Sequence, residues 1–227
     1  MPTADDDWPF YWRRHTDGAG HWASRTGRRE PEGPPGADLA ALRRGLGRSP
    51  GSVPEMWRFY KNSAEGKPTA FEAEHAALTL FAIHQQSQDR PMHRDGIGLG
   101  TAVLALRQHG QPKSDQPKPE AADAGKPESI DWSKIDPVDR RFHAAATASD
   151  LTELIWHLRG LITQLRGIDQ PLDYTRLYKD LCTWQWPDGA DEVRRRWGMQ
   201  YFTRVKDTLT DPAESDPDTT KLVEETK

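Results

Sequence analysis

Apolar residues recur along most of this chain at three- and four-residue spacing, a period that predicts helices. In the first half, Trp8, Tyr11, Trp12 and His15 share one face behind Asp7. Leu39, Leu42 and Leu46 form the next stripe, with Asp38 as its expected cap and Gly47 as its stop. Val53, Met56, Trp57 and Tyr60 follow Ser52 and Pro54. Thr69 and Glu72 then stand at capping-box spacing before Phe71, Leu78, Leu80, Phe81 and Ile83, which place apolar groups on several sides. A helix that is apolar all round belongs inside, so this one is expected to be central. Leu99, Val103 and Leu106 supply another, closed by Gly110.

The second half is more regular. Asp136-Pro137 opens a helix through Phe142, and Asp150 with Glu153 caps a longer one carrying Leu151, Leu154, Ile155, Leu158, Ile162 and Leu165 up to Gly167. Tyr174, Leu177, Tyr178, Leu181 and Trp184 stripe a third helix after Pro171 and Asp173. Val193, Trp197, Tyr201 and Val205 stripe a fourth. Runs of alternating β-branched residues are absent, so the expected class is all-α.

Three stretches lose the period and are rich in Pro, Gly and charge: 27–36, 111–130 and the end of the chain. They divide it into two small helical domains. The expected organisation is a basic helical domain over 1–110 with a flexible 27–36, a Pro-rich charged linker over 111–130, an antiparallel four-helix bundle over 131–207, and an acidic disordered tail over 208–227.

Charge changes the picture only once it is located. The net charge of −4 argues against a nucleic-acid partner, yet the last twenty residues carry six acids against Lys221 and Lys227 and account for all of it. Between residues 8 and 110, 14 Lys and Arg face 10 Asp and Glu, so the first half is basic. A single cysteine, Cys182, excludes an intrachain disulfide and suits a reducing compartment. The acidic opening MPTADDDWPF is unlike a secretory leader, and no apolar run reaches the ~20 residues of a membrane span. A cytoplasmic protein without a membrane partner is expected.

Candidate chemistry is sparse. No nucleophile stands beside a base in a recognisable motif, and His75 and His84 are nine residues apart on one helix, the wrong rotation for a shared ion. No catalytic residue, metal site or cofactor is expected. Cys182, between Leu181 and Trp184, reads as a small residue at the edge of a core. The glycines of DGIGLG (95–100) lack the preceding strand of a dinucleotide loop and read as a tight turn with close helix packing. The basic clusters are the stronger signal: Arg43, Arg44 and Arg48; Arg140 and Arg141; and Arg194, Arg195 and Arg196, which precede Trp197. A guanidinium offers a planar fork to phosphate oxygens and a charge that is never lost. The other reading of these clusters is a solvated face paired with its own acids.

The order of segments adds a resemblance. LAALRRGLGRSPGSVPEMWRFY (39–60), IGLG (97–100), VDRRFHAAATASDLTELIWHLRGLITQLR (138–166) and PLDYTRLYKDLCTWQW (171–186) together resemble the CasB family. That resemblance implies an all-helical, non-catalytic small subunit of a type I-E CRISPR Cascade complex, present as two copies head to tail. The implied partners are the large subunit, the filament of backbone subunits, a second copy of itself, and the guide RNA–target DNA R-loop with its displaced single strand. Recognition would be through the backbone, with sequence read by base pairing. Arg43 and Arg44, the pair Arg140 and Arg141, and Arg159 of LRGLI fall on the family's basic motif positions. Gly160 stands where a second Arg is common, and Glu72 and Glu74 lie where other members can be basic. A purely structural adaptor bridging subunits is the alternative, and a helical metal-dependent hydrolase a third.

Overall fold

The computed structural model describes residues 9–23, 32–63, 65–110 and 136–202. The expected 111–130 linker, the acidic tail, the Asp7 cap, Val205 and most of 27–36 lie outside them. Among the described residues seven α-helices follow one another: α1 (Gly36–Arg44), α2 (Pro68–His84), α3 (Leu99–Gly110), α4 (Pro137–Ala146), α5 (Leu151–Gly167), α6 (Tyr174–Trp184) and α7 (Gly189–Phe202). Short 3-10 helices occupy Tyr11–Arg14 and Pro54–Phe59. Among the described residues the only β-pairing is two isolated bridges, so the class is all-α as expected.

Three caps form as their sequences predict. Asp136 accepts from the Val138 N–H, Asp150 from the Glu153 N–H and Asp173 from the Arg176 N–H, each satisfying an amide that the helix leaves without a carbonyl. Two expected caps do not. Helix α1 begins at Gly36 behind Pro35, which places Asp38 in the first turn, where its carboxylate accepts from the Tyr11 hydroxyl (3.0 Å) and pairs with Arg58 (2.7 Å). Helix α2 begins at Pro68, whose fixed φ suits a first helical position, so Lys67 is the boundary residue and Thr69 makes no cap.

Every residue of α2 from Ala73 to His84 is buried, as its all-round apolarity requires. It packs on α1, α5 and α6. The four C-terminal helices pair off as α4 with α5 and α6 with α7, and helices of the first half complete the packing: α2 lies against α5 and α6, and α3 against α4, α5 and above all α7. The bundle expected from the last four helices alone is thus opened by α2 and α3, because a helix apolar on all sides needs cover on all sides. Buried residues from both halves, Trp12, Phe81 and Val103 together with Leu158, Tyr174 and Trp197, belong to one connected core.

The glycines of 95–100 act in this packing. Gly96 takes a positive φ of 82° in the turn before α3. Gly98 and Gly100 lie against α7, and the Gly100 N–H donates to Gln200 Oε1 at 3.2 Å. Beside them the 92–97 segment is tied to the start of α6, with Leu172 N–H donating to the Met92 carbonyl (3.0 Å) and Asp173 N–H to that of Ile97 (2.8 Å). Glu74 is also structural: buried in α2, it accepts from the amides of Lys61 and Asn62 at 2.7 Å each, and burial raises its carboxyl against the lowering effect of those bonds.

Candidate nucleic-acid interface

Eight of these arginines, those expected to hold nucleic acid, divide by what they touch. Arg48, Arg140, Arg141, Arg159 and Arg195 are exposed, and their side chains form no hydrogen bond or ion pair among the described residues. Arg43 is half-buried and equally without a partner there. Arg44 is exposed but bound to Glu55 at 3.0 Å. Arg194 is turned inward: Nε donates to the Ala146 carbonyl (2.5 Å), one terminal nitrogen donates to that of Ala148 (3.1 Å), and the guanidinium lies 5.0 Å from the Trp184 ring centroid. It closes the end of α4 and has little left for a ligand.

These groups gather by element. Arg140, Arg141 and Arg159 stand on the packed pair α4–α5, where the Arg141 side chain runs across Gly160 and fills the space beside that glycine. Arg43, Arg44 and Arg48 belong to α1 and its exit, and α1 packs on α2. Arg195 is on α7. The resulting basic surface is in patches carried by rigid helices.

One cleft of about 520 Å³ gathers basic residues from separate parts of the chain. Arg13, Arg176, Lys179 and Arg196 line it, with Asp95, Asp173 and Asp180. With Asp95 they come from four separate stretches of chain, and only Arg196, in the run 194–196, lies in one of the basic sequence clusters.

His93, Asp95 and Asp173 also meet here, close enough for their ligand atoms to share an ion. The hydrogen bonds oppose that use. His93 Nδ1 accepts from the Tyr174 amide at 3.2 Å, so the ring proton sits on Nε2, the nitrogen facing Asp95 at 3.4 Å. The Arg13 guanidinium already occupies the same Asp95 oxygen at 2.6 Å. A donor N–H and a guanidinium stand where a cation would need lone pairs.

His75, His84 and Cys182 are held by the packing. His75 bridges the Tyr60 hydroxyl (2.6 Å) and the Gly45 carbonyl (3.0 Å), and burial holds its ring below the usual imidazole range. His84 is 2.9 Å from the Tyr174 hydroxyl, with its pKa lowered to about 3 by burial. Burial raises the Cys182 thiol, which keeps it protonated, as befits a residue packed against the core. Among the described residues no helix is long and apolar enough to cross a membrane.

Comparison with known proteins converges on one family. No curated protein sequence matches the chain. Among solved structures, CasB from Thermobifida fusca is 34% identical, with a TM-score of 0.53 over 74% of this chain and 85% of that one. A CRISPR-associated protein of the Cse2 family from Thermus thermophilus shares the fold at 23% identity, with a TM-score of 0.51 over 73% and 85% of the two chains. Residues 38–202 match the family described as CRISPR-associated protein Cse2, a span from the first turn of α1 to the end of α7 that takes in every patch above. On that match and the 34% identity, the chain belongs to the CasB/Cse2 family of CRISPR-associated proteins.

Proposed function

We propose that this chain is the non-catalytic small subunit of a type I-E CRISPR Cascade complex, and that it holds nucleic-acid backbone without reading sequence. Its main ligand is the displaced strand of the opened duplex. Its protein partners are the large subunit, the backbone filament and a second copy of itself. The observation that carries the reading is the set of exposed arginines with no internal acid, Arg140, Arg141 and Arg159 on α4–α5 foremost, set on helices that a large core holds rigid. Fixed guanidinium groups gain phosphate contacts with little ordering of the protein, and they bind any sequence alike because the charge of the strand is uniform. Holding the displaced strand slows its return to the target strand, which keeps the duplex open.

Replacing Arg140, Arg141 and Arg159 together by Gln tests this. If each contacts one phosphate, the slope of log affinity against log salt for a single strand falls in magnitude by about 2, at roughly 0.7 per contact. In the assembled complex, guide uptake stays normal and the opened duplex closes sooner. An unchanged slope with normal folding and incorporation overturns the strand-holding role. It would favour the adaptor reading, which has an observation of its own: Trp57, Trp156 and Phe202 are 62%, 71% and 78% exposed, large apolar groups of the kind that anchor protein partners.

A further inference from the structure

The cleft between α6, the first 3-10 helix and α7 is set apart from the arginine patches by how its charges are committed. Each of its acids already has donors. Asp95 accepts from Arg13 at 2.6 Å and faces the Nε2–H of His93 at 3.4 Å. Asp173 gives one oxygen to the Arg176 amide and the other to the Gly96 amide, both at 2.9 Å. Asp180, 3% exposed, accepts from Trp197 Nε1 at 2.7 Å and pairs with Arg196 at 2.9 Å.

Two cations are left over. The side chains of Arg176 and Lys179 make no hydrogen bond or ion pair among the described residues. They stand three apart on α6 and therefore share a face, which Thr183 extends four residues on. Thr175 adds a neutral donor. Its Oγ1 accepts from both Trp12 Nε1 and Arg13 Nε at 3.0 Å, so its own hydroxyl hydrogen is free to point outward. At about 520 Å³ the space is within the range of small-ligand sites.

We propose that this cleft is a phosphate-binding site, in which Arg176 and Lys179 take the ligand's oxygens and Thr175 donates to them. Arg13 and Arg196 frame it while held in place by Asp95 and Asp180. The phosphate belongs either to a single strand crossing α6 or to a free nucleotide. In the first case the site deepens the strand-holding reading with contacts outside α1, α4, α5 and Arg195.

The test uses the full chain and two probes: a fluorescent oligothymidylate followed by anisotropy across a salt series, and adenosine monophosphate followed by calorimetry. The double change Arg176→Gln and Lys179→Gln is compared with wild type and with Arg140→Gln plus Arg141→Gln. Lys179→Glu alone, on an exposed residue, guards against a folding defect in the double variant. A strand in the cleft predicts that the α6 double change reduces the magnitude of the salt slope by about 1.4, at roughly 0.7 per contact. Lys179→Glu would then also weaken strand binding relative to wild type. Nucleotide binding by wild type that the α6 change abolishes, with no strand binding by wild type at all, supports the cleft as a nucleotide site and removes the strand-holding reading. Strand binding that falls in the α4 variant but not in either α6 variant, with no nucleotide bound, overturns the cleft and leaves that reading intact. No binding of either probe overturns both.

Discussion

Gly100 of α3 lies against the main-chain carbonyl of Trp197 in α7, where the Cβ of any other residue would overlap the oxygen. That approach brings the third and last helices into contact across the two halves of the chain. Gly100→Ala must part them, and we expect a loss of about 1–3 kcal/mol, the usual cost of overpacking a fitted interface. Gly160 offers the contrast. Its added methyl would meet Arg141 Cδ at 3.4 Å, an ordinary contact with a movable side chain, and it sits inside a helix. Gly160→Ala should therefore stabilise by about 0.5–1 kcal/mol. Thermal denaturation of both variants checks the pair, and shifts of the same sign would refute the account.

Neighbouring arginines on α7 are expected to behave oppositely. Arg194→Ala removes the donors that satisfy the Ala146 and Ala148 carbonyls and the stack on Trp184. We expect a stability loss of about 1–2 kcal/mol, since those acceptors lose charged partners but water can reach part of the gap. Arg195→Ala should stay within about 0.5 kcal/mol of wild type while weakening strand binding. Denaturant melts and a strand titration on the two variants separate the roles; equal effects in both assays would show that they are not distinct.

That difference between residues 194 and 195 shows where sequence reading stops. Helix positions, the burial of α2 and the caps Asp136, Asp150 and Asp173 depend on local spacing and chemistry, and they are legible. Asp38 has the spacing of a cap, yet Tyr11 and Arg58, far off in sequence, claim its carboxylate. Arg194 and Arg195 look alike in a run of three, and only the end of α4, 48 residues earlier, decides which one is used inside. The α6 cleft needs Arg13 to be brought 162 residues along the chain to Thr175. Such sites are properties of packing, with no period or motif to announce them.

Acid should destabilise this fold through its histidines. Buried His84 is neutral when folded, its pKa lowered to about 3 by burial, whereas the unfolded chain takes up that proton near the ordinary imidazole value of ~6.5. Between those limits the unfolded state binds more protons, so this contribution is complete above about pH 6.5 and is lost progressively as pH falls towards 3. Burial pushes His75 and His93 the same way. Denaturant midpoints from about pH 7.5 to about pH 5 should fall, and His84→Gln should flatten part of that dependence. A slope identical to wild type would show that His84 protonates in place.

The contact of α2 with α5 and α6, and of α3 with α7, bears on how this protein could be divided or exchanged. A polypeptide ending after α3 and another beginning before α4 each present an apolar surface whose complement is on the other. Coexpressed, the two pieces should find each other and rebuild the native assembly, as in fragment complementation. Swapping either piece for its counterpart from a distant relative should fail unless the facing residues, Gly100 and Trp197 among them, travel together. Inheritance of this subunit by recombination is then constrained to the whole chain, even though its sequence reads as two halves.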